Sequence, residues 1–259
     1  MPHSRPVAFV TGGRRGIGRG CAYALAEKGF DVVINDLERD DAVAETLVGI
    51  DQRGGAAAFV EGSVADLDQH PRMVEETFAA FGKVDCMVNN AGVSVLNRGD
   101  LLEVSVESYD RVMNINVRGP FFLAQAVAKR MVAVPTGEVS HHRSIHFISS
   151  MNAEVVGVDR GEYCMSKAAV AMMAKVYASY LGEHGIHVYD IRPGIIRTDM
   201  TKPALEKYNR IIPGGVSPIA RWGEPEDVGG AVASLAAGAI PFSTGDSFVI
   251  GGGIQLHRV

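Results

Sequence analysis

An α/β fold is what this 259-residue sequence predicts: one doubly wound parallel sheet of about seven strands with helices on both faces. Three observations lead there. Short apolar runs alternate with longer segments of helical period, the pattern of strand–helix–strand crossovers. Most of those runs lack the polar alternation of a half-exposed strand, as expected where helices cover both faces of a sheet. A glycine-rich turn follows the first run and opens the first helix, at a strand's carboxyl end, where such sheets bind ligands.

The elements follow in order. The apolar run Val7 to Thr11 reads as the first strand, and Gly16 to Lys28 as the helix that its glycine turn opens. Val32 to Asp36 is a strand ending on an acid, followed by a helix over Asp41 to Arg53. Ala57 to Glu61 and Cys86 to Asn89 are the next strands, with a helix over Pro71 to Phe81 between them. Val106 to Val132 has helical period throughout and reads as one long helix before the strand Ile145 to Ile148. A helix over Tyr163 to His184 leads to the strand Ile186 to Ile191, and a helix over Pro225 to Ala237 leads to the strand Phe248 to Ile250. Every crossover is expected to be right-handed. With no repeat, low-complexity tract or linker, residues 1–259 are expected to form a single domain.

Composition narrows the function classes. Hydrophobic residues make up 47% and charged residues 21%, as in a soluble globular protein with a sizeable core. Net charge is −5, and no basic block offers a surface for nucleic acid. Cys21, Cys86 and Cys164 are odd in number and scattered, which fits free buried thiols in a reducing compartment. Met1 to Pro6 lacks the charged-then-apolar pattern of a leader. Between Asp227 and Asp246 run 18 uncharged residues, but Pro241 and four glycines make them a buried helix and a turn rather than a membrane span. The expected compartment is the cytoplasm.

"TGGRRGIG", Thr11 to Gly18, carries the first functional signal. Gly12, Gly16 and Gly18 permit a tight turn, close approach of backbone to a pyrophosphate, and close helix packing, while the helix beginning near Gly16 aims its amides and positive dipole end at the phosphates. Asp36 at the next strand end completes the context that a dinucleotide site requires. A second signal is "GEYCMSK": Tyr163 is the one tyrosine of seven with a lysine four residues on, so on a helix it shares a face with Lys167. An ammonium there favours the phenolate, lowering a pKa of about 10 that is otherwise too high for base work near neutrality.

TGxxxGxG, with "NNAG" (Asn89 to Gly92) and Tyr163-x-x-x-Lys167, resembles the short-chain dehydrogenase/reductase family over nearly the whole chain. "RPGIIRTDM" (Arg192 to Met200) resembles its proline–glycine segment beside the nicotinamide, and "PIARWGEPEDV" and Gly251 to Gly253 resemble its C-terminal part. The resemblance implies a Rossmann-type fold and an oxidoreductase that moves a hydride between a nicotinamide cofactor and a secondary alcohol or ketone. It implies Tyr163 as acid/base, with Lys167 also binding the nicotinamide ribose. The family's spacing sets a substrate-holding serine 13 residues before the tyrosine, which is Ser150, with Ser149 supporting the strand end. Its catalytic asparagine resembles Asn116 rather than Asn114, with the implied work of holding a helix kink and a water that connects Lys167 to solvent. The implied cofactor contacts are Gly12, Arg15, Gly16, Ile17, Gly18, Asp36, Asp66, Asn90, Ala91, Gly92, Tyr163, Lys167, Pro193, Gly194, Ile196 and Thr198. Family resemblance also implies a homotetramer, to which the long helices would contribute Phe121, Phe122, Met172, Met173 and Val176.

NAD(H) is the expected cofactor, because an acid at Asp36 can accept hydrogen bonds from the adenosine ribose and repels a 2′-phosphate. NADP(H) is the alternative, for which Arg14, Arg15 and Arg39 speak. No metal is expected: His141, His142 and His146 with Glu138 mix a loop and a strand without a recurring ligand spacing. Substrate signals are mixed, since Asn152, Glu154, Arg160 and Glu162 hint at a polar substrate while Val155, Val156 and Val158 argue for an apolar lining. Gly251 stands where the family commonly carries an acid. One alternative is reduction of 3-oxoacyl groups on a carrier protein, with Lys129, Arg130 and Arg143 as a basic docking patch. An alternative of another class is a catalytically silent nucleotide sensor or scaffold, against which the intact Ser150, Tyr163 and Lys167 argue.

Overall fold

Strands covered on both faces organise the molecule. The computed structural model describes residues 4–256, so the beginning of the Met1–Pro6 stretch lies outside the described residues. Its strands are β1 (Val7–Thr11), β2 (Asp31–Asp36), β3 (Ala57–Glu61), β4 (Cys86–Asn89), β5 (Arg143–Ile148), β6 (Ile186–Pro193) and β7 (Ser247–Ile250). They form one sheet in the order β3-β2-β1-β4-β5-β6-β7, with all neighbours parallel. The chain winds outward from β1 to β3, then crosses back to start β4 beside β1, so the carboxyl ends of β1 and β4 flank the switch point.

Alternate residues of each strand enter different cores. Val7 and Phe9 of β1 join Met87 and Ile145 under α3 (His70–Phe81), α5 (Gly119–Val132) and α6 (Gly161–Leu181). Ala8 and Val10 join Val88 and Ile34 under α1 (Gly16–Glu27), α2 (Asp41–Gln52) and α8 (Pro225–Ala236). The central strands β1, β4 and β5 are wholly buried, whereas the edge strands β3 and β7 are only partly so.

Two expectations need correction. The long helix over Val106 to Val132 is interrupted: α4 (Val106–Met113) passes through a π-helical turn, Asn114–Arg118, before α5. Pro120 has no N–H for the carbonyl of Asn116, and the widened turn releases that strain. A 3₁₀ segment, Asp199–Ala204, and α7 (Leu205–Ile211) also follow the proline–glycine segment, where no helix was expected. Pro203 inside the first and the brevity of the second hide their period.

Candidate active site

The first wall of the cleft is mostly backbone. Gly12 and Gly16 hold φ of +63° and +54°, a conformation costly for any residue with a Cβ. A Cβ on Gly18 would lie 2.0 Å from the carbonyl oxygen of Gly12, so the start of α1 can press on the loop only through glycine. The loop is stapled to β4: Asn90 Nδ2 donates to the carbonyls of Thr11 (2.9 Å) and Gly12 (3.0 Å), and the amides of Asn90 and Ala91 donate to Thr11 Oγ1 at 3.1 Å. The Nδ2 of Asn90, a residue expected among the cofactor contacts, thus shapes the loop. Ile17 packs against the core beneath it.

Asp36 ends β2 beside this loop. Arg14, 9% exposed, donates its amide to Asp36 Oδ2 (3.3 Å), and its guanidinium meets Asp36 (3.3 Å), Glu38 (3.0 Å) and Asp40 (2.6 Å). Three carboxylates on one guanidinium leave this corner net negative. The hydrogen bond to Glu38 is the main reason that the Arg14 pKa lies above its ordinary value. The other two arginines are engaged elsewhere. Arg15 reaches Asp199 across the groove (3.3 Å), and the Arg39 guanidinium lies 5.1 Å from the centre of the Phe59 ring.

Tyr163, Lys167, Ser150 and Asn116 form a second group. Tyr163 and Lys167 share a face of α6, with the ammonium 5.6 Å from the tyrosine ring centre. Lys167 Nζ is buried and donates to the carbonyl of Ile148 at 3.0 Å. Burial pulls its pKa down to about 8, against the opposing charge of Asp190. Burial also raises the Tyr163 pKa, while a hydrogen bond with Ser150 and the charge of Arg160 act to lower it. Ser150, 7% exposed, lies just past β5, and its Oγ accepts from the amide of Asn152 (3.1 Å). Asn116 sits in the π turn, where its Oδ1 accepts from the amide of Val93 (2.8 Å) and its Nδ2 donates to the Val93 carbonyl (2.9 Å) and Ser166 Oγ (3.0 Å). A Cβ on Gly92 would be 3.2 Å from Asn116 Oδ1 and 3.6 Å from Lys167 Nζ, so these three residues converge.

Other expected positions differ in what their side chains can offer. Pro193 closes β6 beside β7, and a Cβ on Gly194 would come within 2.6 Å of the Cα of Gly251. Such an approach requires the glycine at 194, while a Cβ on Gly251, where the family commonly carries an acid, would come to 3.1 Å from Ile254 Cγ2 and 3.3 Å from the Cα of Gly194. Ile196 is 3% exposed, its side chain in the core and its carbonyl taken by Thr201 Oγ1 (3.0 Å). Thr198 caps the 3₁₀ segment and lies against Gly16. The Asp66 carboxylate caps its own turn, accepting from the Asp68 amide (3.1 Å) and Gln69 Nε2 (2.8 Å), with one bond on each oxygen.

Sequence reading missed a buried ionic group below the site. Asp190 is fully buried and accepts from Arg192 Nε (2.6 Å), Ser247 Oγ (2.9 Å) and Ser149 Oγ. Arg192 also binds Glu154. The signal was there as "DIR", a charge pair inside an apolar strand. Arg143, weighed as part of a docking patch, is buried and donates to the carbonyls of Met131 (2.8 Å), Val134 (3.3 Å) and His184. Arg130 pairs with Glu75 (2.9 Å) and covers Phe78.

Comparison with known proteins agrees with this architecture. A family profile described as enoyl-(acyl carrier protein) reductase matches residues 12–255. The chain belongs to the short-chain dehydrogenase/reductase family. It is 33% identical to an L-rhamnose 1-dehydrogenase (NAD(P)(+)) of Sphingomonas sp. (strain SKA58), over 96% of each chain. It is also 33% identical to a 2-dehydro-3-deoxy-D-gluconate 5-dehydrogenase of Dickeya dadantii (strain 3937), over 95% of this chain and 94% of that one. A crystal structure of a 3-oxoacyl-[acyl-carrier protein] reductase from Brucella melitensis in complex with NAD superposes with a TM-score of 0.95 at 44% identity, covering 99% of both chains. This short-chain dehydrogenase/reductase is an oxidoreductase that uses a nicotinamide cofactor on alcohol or keto groups.

The residues present fit such a cofactor. Gly12 and Gly16 hold left-handed backbone in the loop, no described side chain caps the first amides of α1, and a helix end of that kind favours phosphate. Among the described residues no cluster of His, Cys, Asp or Glu could hold a metal, and no helix is long and apolar enough to cross a membrane.

Proposed function

We propose that Tyr163 is the proton donor and acceptor of an NAD-preferring alcohol dehydrogenase or ketone reductase, and that Ser150, Lys167 and Asn116 serve it. The observation that carries this reading is the convergence of Lys167, Asn116 and Gly92 beside Tyr163, whose ring centre lies 5.6 Å from the Lys167 ammonium. In it, Ser150 Oγ holds the substrate oxygen while the Tyr163 hydroxyl gives or takes its proton. Lys167 biases Tyr163 toward the phenolate, and the Ile148 carbonyl keeps the ammonium in place. Asn116 ties the π turn to Val93 in the loop after β4. The bound nicotinamide supplies or accepts the hydride. Gly12, Gly16 and Gly18 would face its phosphates, Asp36 its adenosine ribose, and Gly92, Pro193 and Gly194 its nicotinamide end.

NAD preference rests on the Arg14 corner, where the net negative charge that surrounds Asp36 opposes a 2′-phosphate. A homotetramer rests on an unpartnered helix face. Phe122, Met165, Met172, Val176 and Tyr180 are 40–64% exposed along α5 and α6, whereas Met173 and Phe121, expected with them, belong to the core. Light scattering at micromolar concentration should give four chains. We also read residues 1–259 as one cooperatively folding domain and the cytoplasm as its compartment, the latter from its three unpaired cysteines.

A panel of secondary alcohols, sugars and acyl thioesters, followed by nicotinamide absorbance with NAD and NADP, tests the whole reading. Turnover with NAD that disappears in Tyr163→Phe supports it; turnover that survives the substitution refutes it. A 3-oxoacyl thioester substrate is the second reading, favoured by the likeness to the Brucella enzyme, although the burial of Arg143 removes one member of its docking patch.

A further inference from the structure

At the start of α6, one turn before Tyr163, the preceding loop carries an ionic cluster that the reaction as described does not use. Arg160 precedes α6 and is 14% exposed at its side chain. Its Nη1 faces the hydroxyl of Tyr208 on α7 at 3.4 Å. Arg98, from the loop after β4, joins the cluster through Asp159 (3.4 Å), and its charge acts with that of Arg160 to lower the Tyr208 pKa. Tyr208 is itself held by burial and by an edge-on contact with Trp222, with ring centres 5.7 Å apart. Charge links this group to the reacting tyrosine, because Arg160 acts on Tyr163 directly.

The cluster is short of negative charge. Asp159 is shared by both arginines, at 3.4 Å from Arg98 Nη1 and 3.8 Å from Arg160 Nε. Neither contact is the paired fork that a guanidinium makes with a carboxylate of its own. Glu162, the next acid in sequence, accepts from Ser108 Oγ on α4 through Oε1 at 2.7 Å, and no contact joins it to either arginine among the described ion pairs. Arg160 Nε is buried without a hydrogen-bond partner, a state that folded proteins rarely leave unmet.

Resting on the dehydrogenase reading above, we propose that Arg160, with Arg98 and the Tyr208 hydroxyl, binds an anionic group of the substrate, so that the substrate is a hydroxy or oxo compound bearing a carboxylate or phosphate. The anion would complete the donor set of Arg160 and fix the reacting carbon relative to Tyr163. Arg160 then reads charge, Tyr208 brings α7 down on the bound anion, and Ser150 and Tyr163 act on the other end.

The test uses the NAD-loaded protein and three probes of similar size: gluconate, glucitol 6-phosphate and neutral glucitol. Melting temperature is titrated against each, and kcat/KM is measured for any that turn over. The expected result is that gluconate or glucitol 6-phosphate binds about 10- to 100-fold more tightly than glucitol. Which of the two does so identifies the anion as carboxylate or phosphate. Arg160→Gln should abolish that ratio, Arg160→Lys should restore part of it, and Tyr208→Phe, which removes one hydroxyl, should reduce it. Equal binding of glucitol, an unchanged ratio in Arg160→Gln, or no stabilisation by either anion overturns the proposal. Failure of the dehydrogenase reading is distinguishable, because it appears as turnover that persists in Tyr163→Phe whatever the probe.

Discussion

The two walls of the cleft are made of different material. On the β1–β2 side, a loop of left-handed glycines is stapled by main-chain groups and by Asn90, with Arg14 locked among three carboxylates. On the side proposed for the substrate, long side chains join the 150–160 loop to β6 (Arg192 to Glu154) and to α7 (Arg160 to Tyr208), and Val156 and Val158 stand 77% and 79% exposed. A wall that grips a fixed diphosphate can be backbone, whose amides lie where the fold directs them. A wall that selects a substrate is built from side chains, which can be exchanged without disturbing the sheet. Recognition of this family is therefore easy, and recognition of its substrates is not.

The largest expected effect lies where the walls meet. Tyr163→Phe should lower kcat by about 10²- to 10⁴-fold while leaving the Kd for NAD unchanged, since it removes one hydroxyl and touches neither wall. Stopped-flow turnover and fluorescence titration of the cofactor check both parts, and a mutant with over half the original turnover would remove Tyr163 from its role. Asp36→Ala should weaken NAD binding and improve NADP binding together. At about 4 Å, a charge repulsion of roughly 1–4 kcal/mol corresponds to about 5- to 1,000-fold in affinity. A wild-type kcat/KM higher with NADP than with NAD would show that Arg14, not Asp36, governs that corner.

Gly18→Ala tests whether the first wall is as rigid as its contacts imply. The new methyl would meet a main-chain oxygen, so the loop must move, and strain of about 1–3 kcal/mol should cost about 5- to 150-fold in NAD affinity. Gly99→Ala, on the open side with nothing within 4 Å, should change neither affinity nor melting temperature and is the control.

The smallest effect concerns the opposite end of the sheet. Burial lowers the pKa of His142 to about 4 and of His146 to about 3, from 6.5. Below pH 6.5 the unfolded chain binds protons that the folded chain refuses, so the stability present at neutral pH is lost as pH falls through that window. Each unit of pH below 6.5 should cost up to about 1.4 kcal/mol for the fully buried His146. Urea midpoints at pH 7.5 and 5.5 measure it, and His146→Gln should flatten the slope. A midpoint that rises on acidification would contradict the burial of this ring.

The sequence alone determined the sheet and its winding, because buried parallel strands must be apolar on both faces and the crossovers between them must be helical. It determined the glycine loop as well: φ near +60° and a contact of 2.0 Å admit no other residue, so the conformation is written in the composition. Tyr163 and Lys167 were legible for a similar local reason, a spacing of one helical turn. Tertiary structure alone decided how Asn116 would be used, since a π turn depends on Pro120 and on Val93 and Ser166 from other elements. It turned Asp66 into a cap and Asn90 into a staple, roles that depend on where the neighbouring main chain lies. It also gathered Arg98, Arg160 and Tyr208, which the sequence separates by as many as 110 positions, into one cluster. Local geometry leaves its mark at fixed spacings along the chain, whereas long-range side-chain pairing leaves none until the chain has folded.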